Sequence, residues 1–219
     1  MITRIISLSM FILTAFSFMS QAAYGVSTRD LEYNVFLDGD RIGSHKVRIT
    51  PMDTGTIVEI EASFTIKFLI FEAYRYIHYA REEWNSGCLN KIQASTNDNG
   101  NKLFVNGRLN DNTFTIKSRD KKKVINGCVR SFAYWDPNLI QASYLLNSQN
   151  GQYTSVDVVS YGYEKISLGQ QRVNAMRYRI NGDEIKIDLW YSPEQEWLAL
   201  SAVTESGARL RYERVKKSQ

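Results

Sequence analysis

The run from Val58 to Phe68 alternates without a slip. Val58, Ile60, Ala62, Phe64, Ile66 and Phe68 are apolar or small, and Glu59, Glu61, Ser63, Thr65 and Lys67 between them are polar. Side chains of a strand point alternately to opposite faces, so a period of two means one dry face and one wet face. A strand of this length has to twist or curve to stay packed along its whole run. That requirement suits a barrel, or a half-barrel with a concave apolar face.

The same alternation recurs along the chain. Leu31, Tyr33, Val35 and Leu37 lead into Asp38-Gly39-Asp40, and the returning strand places His45, Val47 and Ile49 on one face with Lys46 and Arg48 on the other. This is hairpin chemistry. Asn85-Ser86-Gly87, Asn97 to Gly100, Asn106-Gly107, Asn110-Asp111-Asn112 and Asp120 punctuate a series of short strands in the middle of the chain. Strands resume at Tyr153 to Ser160, Tyr163 to Ile166 and Arg172 to Ile180, and Asn181-Gly182 turns the chain. The last third, Asp183 to Val215, reads as three consecutive strands broken by Ser192-Pro193-Glu194 and Ser206-Gly207. Turn residues this frequent predict a mainly β fold, one large curved antiparallel sheet that closes as a barrel or half-barrel.

One stretch breaks the pattern. Asp136-Pro137 places a capping side chain before a proline suited to the first helical position, and Leu139, Ile140, Ala142, Leu145 and Leu146 follow at helical spacing. The spacing predicts one short helix near 137–147, about three turns long. So apolar a helix is expected to cover one end of the sheet with Tyr134 and Trp135 beneath it.

The chain opens with one positive charge at Arg4 and an apolar run from Ile5 to Met19, followed by Ser20-Gln21-Ala22. This is the pattern of a secretory signal peptide over residues 1–22, and it predicts a mature single domain over 23–219. A retained anchor helix is the alternative, but the run is near the lower limit for a span and lacks a basic flank. No later stretch is apolar enough to span a bilayer, and export predicts a periplasmic or secreted protein. The two cysteines, Cys88 and Cys128, then read as a disulfide, with free buried thiols as the alternative. Lys+Arg 27 against Asp+Glu 23 leaves a formal charge of +4. So small a surplus on an exported chain argues against nucleic acid. It is concentrated at Arg119, Lys121 to Lys123 and the C-terminal arginines and lysines. That placement reads as a solvated hairpin tip and tail, or as a contact with anionic headgroups or cell-wall polymer.

Tyr74, Tyr76, His78, Ala80 and Trp84 occupy alternate positions, with Arg75, Ile77, Tyr79 and Arg81 opposite. Aromatics on both faces have two readings. They pack a core through cross-strand pairs, or they line a cavity, since ligand pockets are mostly apolar with a few polar groups. In the second reading the ligand-binding candidates are Phe64, Phe68, Tyr74, Tyr76, His78, Trp84 and Trp135. His45 reads as packed at a sheet face.

Catalytic patterns are missing. A hydrolase triad needs a nucleophile, a histidine and a carboxylate, and there are two histidines and no G-x-S-x-G elbow. Glu82 and Glu83 are neighbours on a strand and point to opposite faces. No phosphate-binding glycine loop is present, and two cysteines and two histidines do not make a metal site. The reading assigns no catalytic residue, no cofactor and no metal.

The order of the later segments carries a resemblance. PNLIQASYLL at Pro137 to Leu146 is followed by Asn150-Gly151-Gln152-Tyr153, Tyr163-Glu164-Lys165-Ile166 with Gly169, Leu189-Trp190-Tyr191 and a last strand at Gly207. This order resembles exported bacterial proteins of a domain-of-unknown-function group that end in an LWY-type strand pair. Gly87-Cys88-Leu89 and Cys128 to Pro137 look like its cysteine-bearing branch. The resemblance implies a β-rich exported domain and brings no catalytic residues. A looser likeness, of architecture alone, is to lipoprotein carriers and lipocalin-like curved sheets. The function expected is a periplasmic, non-enzymatic binding or carrier protein for an apolar ligand such as a lipid or acyl chain. The alternatives are an envelope interaction or assembly protein with a packed barrel and functional loops, with an envelope protein as partner, and a hydrolase-type enzyme.

Overall fold

The computed structural model describes residues 27–68, 71–119, 121–204 and 206–215, and the side chains of 68, 71 and 72 are outside the description. Residues 1–22, where a signal peptide is expected, lie outside the described residues.

Eight strands come first: β1 (Arg29–Leu37), β2 (Asp40–Met52), β3 (Gly55–Phe68), β4 (Phe71–Asn85), β5 (Cys88–Asp98), β6 (Asn101–Asn110), β7 (Thr113–Ser118) and β8 (Lys121–Asn126). A segment over 128–156 then leaves the sheet and carries β9 (Tyr144–Leu146) and β10 (Tyr153–Ser155), which pair with each other apart from the large sheet. Five more strands follow: β11 (Asp157–Leu168), β12 (Gln171–Asn181), β13 (Lys186–Tyr191), β14 (Trp197–Val203) and β15 (Arg209–Arg214). Every consecutive pair within each run is an antiparallel hairpin, and β15 pairs antiparallel with β1. The result is one thirteen-stranded sheet in the order β11-β12-β13-β14-β15-β1-β2-β3-β4-β5-β6-β7-β8. The two edges, β11 and β8, do not pair, so the sheet is rolled but not closed.

The rolling follows from the alternation. Leu31, Tyr33 and Val35 of β1, Val58, Ile60, Ala62 and Phe64 of β3, and Leu200 and Tyr212 near the C-terminus are all buried on one face. Residues of β4 and of β13 line the same cavity although six strand steps separate them. On a flat sheet that would be about 29 Å. Bulges in β2, β5 and β11 help the strands bend.

Two local expectations change. The helix near 137–147 is a single 3-10 turn over Pro137–Gln141. Asp136 does cap it, its side chain accepting from the Asn138 backbone N–H, but Ala142 is already extended. Leu145 and Leu146 are both fully buried, and β9 is held from two sides, by β10 and by the bonds Leu146 N–H to Arg130 O (2.8 Å) and Phe132 N–H to Leu146 O (3.2 Å). Two dry faces and strand partners on both sides outweigh helical spacing. Asn106-Gly107 is no turn either: both lie inside β6. Gly107 is there for space, because a Cβ would stand 2.5 Å from the Phe114 ring and 2.8 Å from Ile92.

The 128–156 segment is a strap across the concave face. Its start is bonded covalently to the sheet by the Cys88–Cys128 disulfide, with Cα atoms 5.2 Å apart, and Leu89 N–H donates to Val129 O at 2.8 Å. The bridge closes a sequence separation of 40 residues, for which loop-closure entropy gives a stabilisation of about 4 kcal/mol. Cys88→Ser/Cys128→Ser should lower the unfolding free energy by about 2–4 kcal/mol in denaturant titration. A loss below about 0.5 kcal/mol would show that the noncovalent contacts hold the strap alone.

A candidate ligand-binding cavity

Under the strap lies a cavity of ≈ 260 Å³. Three sources supply its wall. The first is the inward face of β2 to β4, with His45, Val47, Ile60, Ala62, Tyr76 and His78. The second is the inward face of β13 to β15, with Ile187, Trp197, Leu200, Ala202, Leu210 and Tyr212. The strap closes it with Phe132, Tyr134, Trp135 and the loop Asn147 to Gln149. Among the described residues, no Asp, Glu, Lys or Arg lines it.

The chain has two histidines, and both stand in this wall. His45 sits within an aromatic cluster, 5.8 Å from the Trp197 ring and 5.4 Å from Tyr212 between centroids. Its Nδ1 is buried without a hydrogen-bond partner. Burial, with a smaller push from His78, lowers its pKa to about 3. His78 is lowered to about 4 by burial. It bonds on both sides, Nδ1 to Thr96 Oγ1 at 2.9 Å and Nε2 to Ser148 Oγ at 3.3 Å. Thr96 donates its own proton to Gln149 O at 3.4 Å. All three contacts are satisfied when His78 carries its proton on Nδ1 and accepts from Ser148, so a neutral ring ties the strap loop to β4. Tyr76, Tyr134 and Tyr212 are all pushed upward by burial. The wall is therefore uncharged at neutral pH.

The residues named from the sequence fall into three groups. Tyr76, His78 and Trp135 line the cavity together. Phe64 and Trp84 lie behind the wall: Phe64 stacks on Tyr76 at 5.1 Å, and Trp84 meets Trp135 edge-on at 5.5 Å. Tyr74 is half-buried against the core and donates its hydroxyl to Asp98 at 2.7 Å. The Phe68 side chain lies outside the described residues. Sequence reasoning missed the C-terminal half of the wall and the role of His45. The alternation of Ile187 with Leu189, and of Leu210 with Tyr212, carried that signal, but nothing local says which distant strands share a face.

A further group was legible by parity. Glu82 stands in step with Tyr76, His78 and Ala80 and is fully buried beneath the strap. Its Oε2 accepts from Trp84 Nε1 at 2.9 Å, while its Oε1 and the facing Ser131 Oγ lack a well-formed hydrogen bond. Burial raises its pKa to about 7, and the Ser131 hydroxyl and Trp84 indole pull back against that rise. The unfolded chain titrates near 4.5, so between 4.5 and 7 the folded protein holds a proton that the unfolded chain releases. Stability from this group is full below 4.5 and is lost as pH rises through 7. His45 and His78 act in the opposite sense, since their lowered values favour folding as pH rises to 6.5. Comparing Glu82→Gln with wild type isolates the carboxyl. The variant should match wild type near pH 4.5 and exceed it by up to about 3 kcal/mol above pH 7 in denaturant titrations. A difference that does not change with pH would contradict this placement.

Among the described residues, no group of three or more His, Cys, Asp or Glu is arranged to hold a metal, and no helix is long and apolar enough to cross a membrane. No curated protein matches the chain. Among solved structures it is similar to a beta-barrel-like protein of the domain of unknown function DUF1849 from Brucella abortus. The TM-score is 0.62 at 9% identity, covering 87% of this chain and 97% of that one. At that identity the likeness is one of fold. Residues 33–215, which span both meanders and the strap between them, match the domain of unknown function DUF6134, and the chain belongs to that family.

Proposed function

We propose that this protein is exported to the periplasm and works there as a non-enzymatic binding or carrier protein, holding a small, uncharged, largely apolar molecule between the sheet and the strap. The observation that carries the reading is the cavity's chemistry. Its wall has no formal charge and is built mainly of aromatic and aliphatic side chains, the lining that a pocket for an apolar molecule needs. An ionised head group would lose hydration with no counter-charge to replace it. Size narrows the class further. A volume of ≈ 260 Å³ is about nine waters at about 30 Å³ each, so a short acyl chain or a small ring system fits and a whole phospholipid does not.

Native mass spectrometry of the protein purified from its own envelope tests this. A co-purifying small neutral molecule supports the reading, and a clean apo mass with no displacement of an apolar fluorescent probe opposes it. Ala62 lines the cavity from β3, so Ala62→Phe should fill it. Loss of the bound molecule or probe is expected, with a stability change within about 1–3 kcal/mol. Unchanged probe binding by a folded Ala62→Phe protein would place the probe elsewhere.

A further inference from the structure

The opposite face of the C-terminal strands is also concave. β11 and β15 are four strand steps apart, about 19 Å on a flat sheet. Yet Arg211 donates to Ser167 O at 2.8 Å, and the Gly169 N–H donates to Glu213 at 3.3 Å. The long β11–β12 hairpin therefore bends back over β15 on the side away from the cavity. The outer face of β12 to β15 becomes the floor of a groove of ≈ 600 Å³.

That groove is strongly basic. Lys165, Arg177, Arg179, Lys186, Arg209 and Arg211 line it, against Asp188 alone among lining acids. Arg177 and Arg179 both hold Asp188 by paired bonds of 2.8–3.3 Å, so two cations share one carboxylate. Arg211 is paired with Glu213. Lys165, Lys186 and Arg209 are exposed and have no ion-pair partner among the described residues. Apolar groups stand at the lip. Tyr161 is 53% exposed with both guanidiniums over its ring, at 4.9 Å and 5.1 Å, and Val203 is 65% exposed.

We propose that this groove is a docking face for an anionic phospholipid bilayer, with a phosphodiester headgroup entering between Lys165, Lys186 and Arg209. A bare solvated charge face has no need of a concave form or of exposed aromatics. Cations flanked by tyrosine match the headgroup layer, where amphipathic rings settle and each basic side chain near an anionic surface strengthens binding about fivefold. The proposal goes beyond the cavity and does not depend on it, because the groove opens on the other face of the sheet.

Flotation of the purified protein with vesicles tests it. Binding is expected to an equimolar mixture of phosphatidylglycerol and phosphatidylcholine, weakening with salt, and not to phosphatidylcholine alone. Lys165→Gln/Lys186→Gln/Arg209→Gln should lower affinity on the order of a hundredfold. These three side chains make no ion pair, so the fold should persist, as far-UV circular dichroism would check. Lys121→Gln/Lys122→Gln/Lys123→Gln on the β8 edge removes as much charge elsewhere and should leave most of the binding intact. Ala62→Phe should not change it. Equal binding to neutral vesicles would overturn the proposal, as would a β8 variant as damaging as the groove variant. Capture of soluble polyphosphate with no vesicle binding would make the groove a site for a soluble polyanion and overturn the membrane assignment.

Discussion

The structure depends on the pairing of its first strand with its last. Tyr33↔Arg214, Val35↔Tyr212 and Leu37↔Leu210 are opposed across the β1–β15 seam. Without that seam the chain is two meanders, β1 to β8 and β11 to β15, each with one apolar face and nothing to bury it against. With it, the two faces become one concave surface. Tyr33 marks the join: its ring lies 3.9 Å from Trp197 between centroids, and its hydroxyl donates to Trp197 O at 2.9 Å. The chain ends contribute the first and last of the strands that hold the wall together, so the cavity forms only when the longest-range contacts form. Such pairings incur the loop-closure cost before they are rewarded.

The strap roofs part of the concave surface and makes a cavity of it. It is fixed at its start by the disulfide, in the middle by Tyr191 donating to Tyr134 O at 2.8 Å, and at the loop by Ser148 on His78. Ser118 reaches its far side, donating to Asn150 O at 2.6 Å. These anchors stand on β4, β5, β7 and β13, so the strap also bridges strands far apart in the sheet. Glu82 beneath it is the exception to a consistent design, a carboxyl in a dry site with neither a cation nor a full set of donors. Its cost falls away on protonation, so the strap's seat is sensitive to pH between 4.5 and 7.

Much of this was legible in the sequence. A strict period of two fixes strand faces, and turns rich in glycine, asparagine and aspartate mark most hairpins, so the antiparallel sheet, its curvature and the disulfide followed from residues alone. The errors have local causes. Leu139 to Leu146 has helical spacing because a strap that packs on a sheet and pairs with its own hairpin needs apolar residues on more than one side. Asn106-Gly107 copies a turn signal because Phe114 needs the room that glycine leaves. His45 shares a face with Val47 and Ile49, as the alternation requires. That it meets Tyr212 across one cavity depends on the β1–β15 seam and on the roll of the sheet, which no short pattern encodes. Glu82 was readable in principle, since its position is inward by the same count that places Tyr76 and His78.

The seam builds an open, uncharged cavity rather than a packed core. Titration calorimetry with a matched pair, 1-octanol and octanoate at neutral pH, addresses it most directly. The alcohol is expected to bind with one site per chain, Ala62→Phe to abolish the heat, and the carboxylate to bind at least tenfold more weakly. Octanoate binding as tightly as octanol, or neither binding at all, would contradict it.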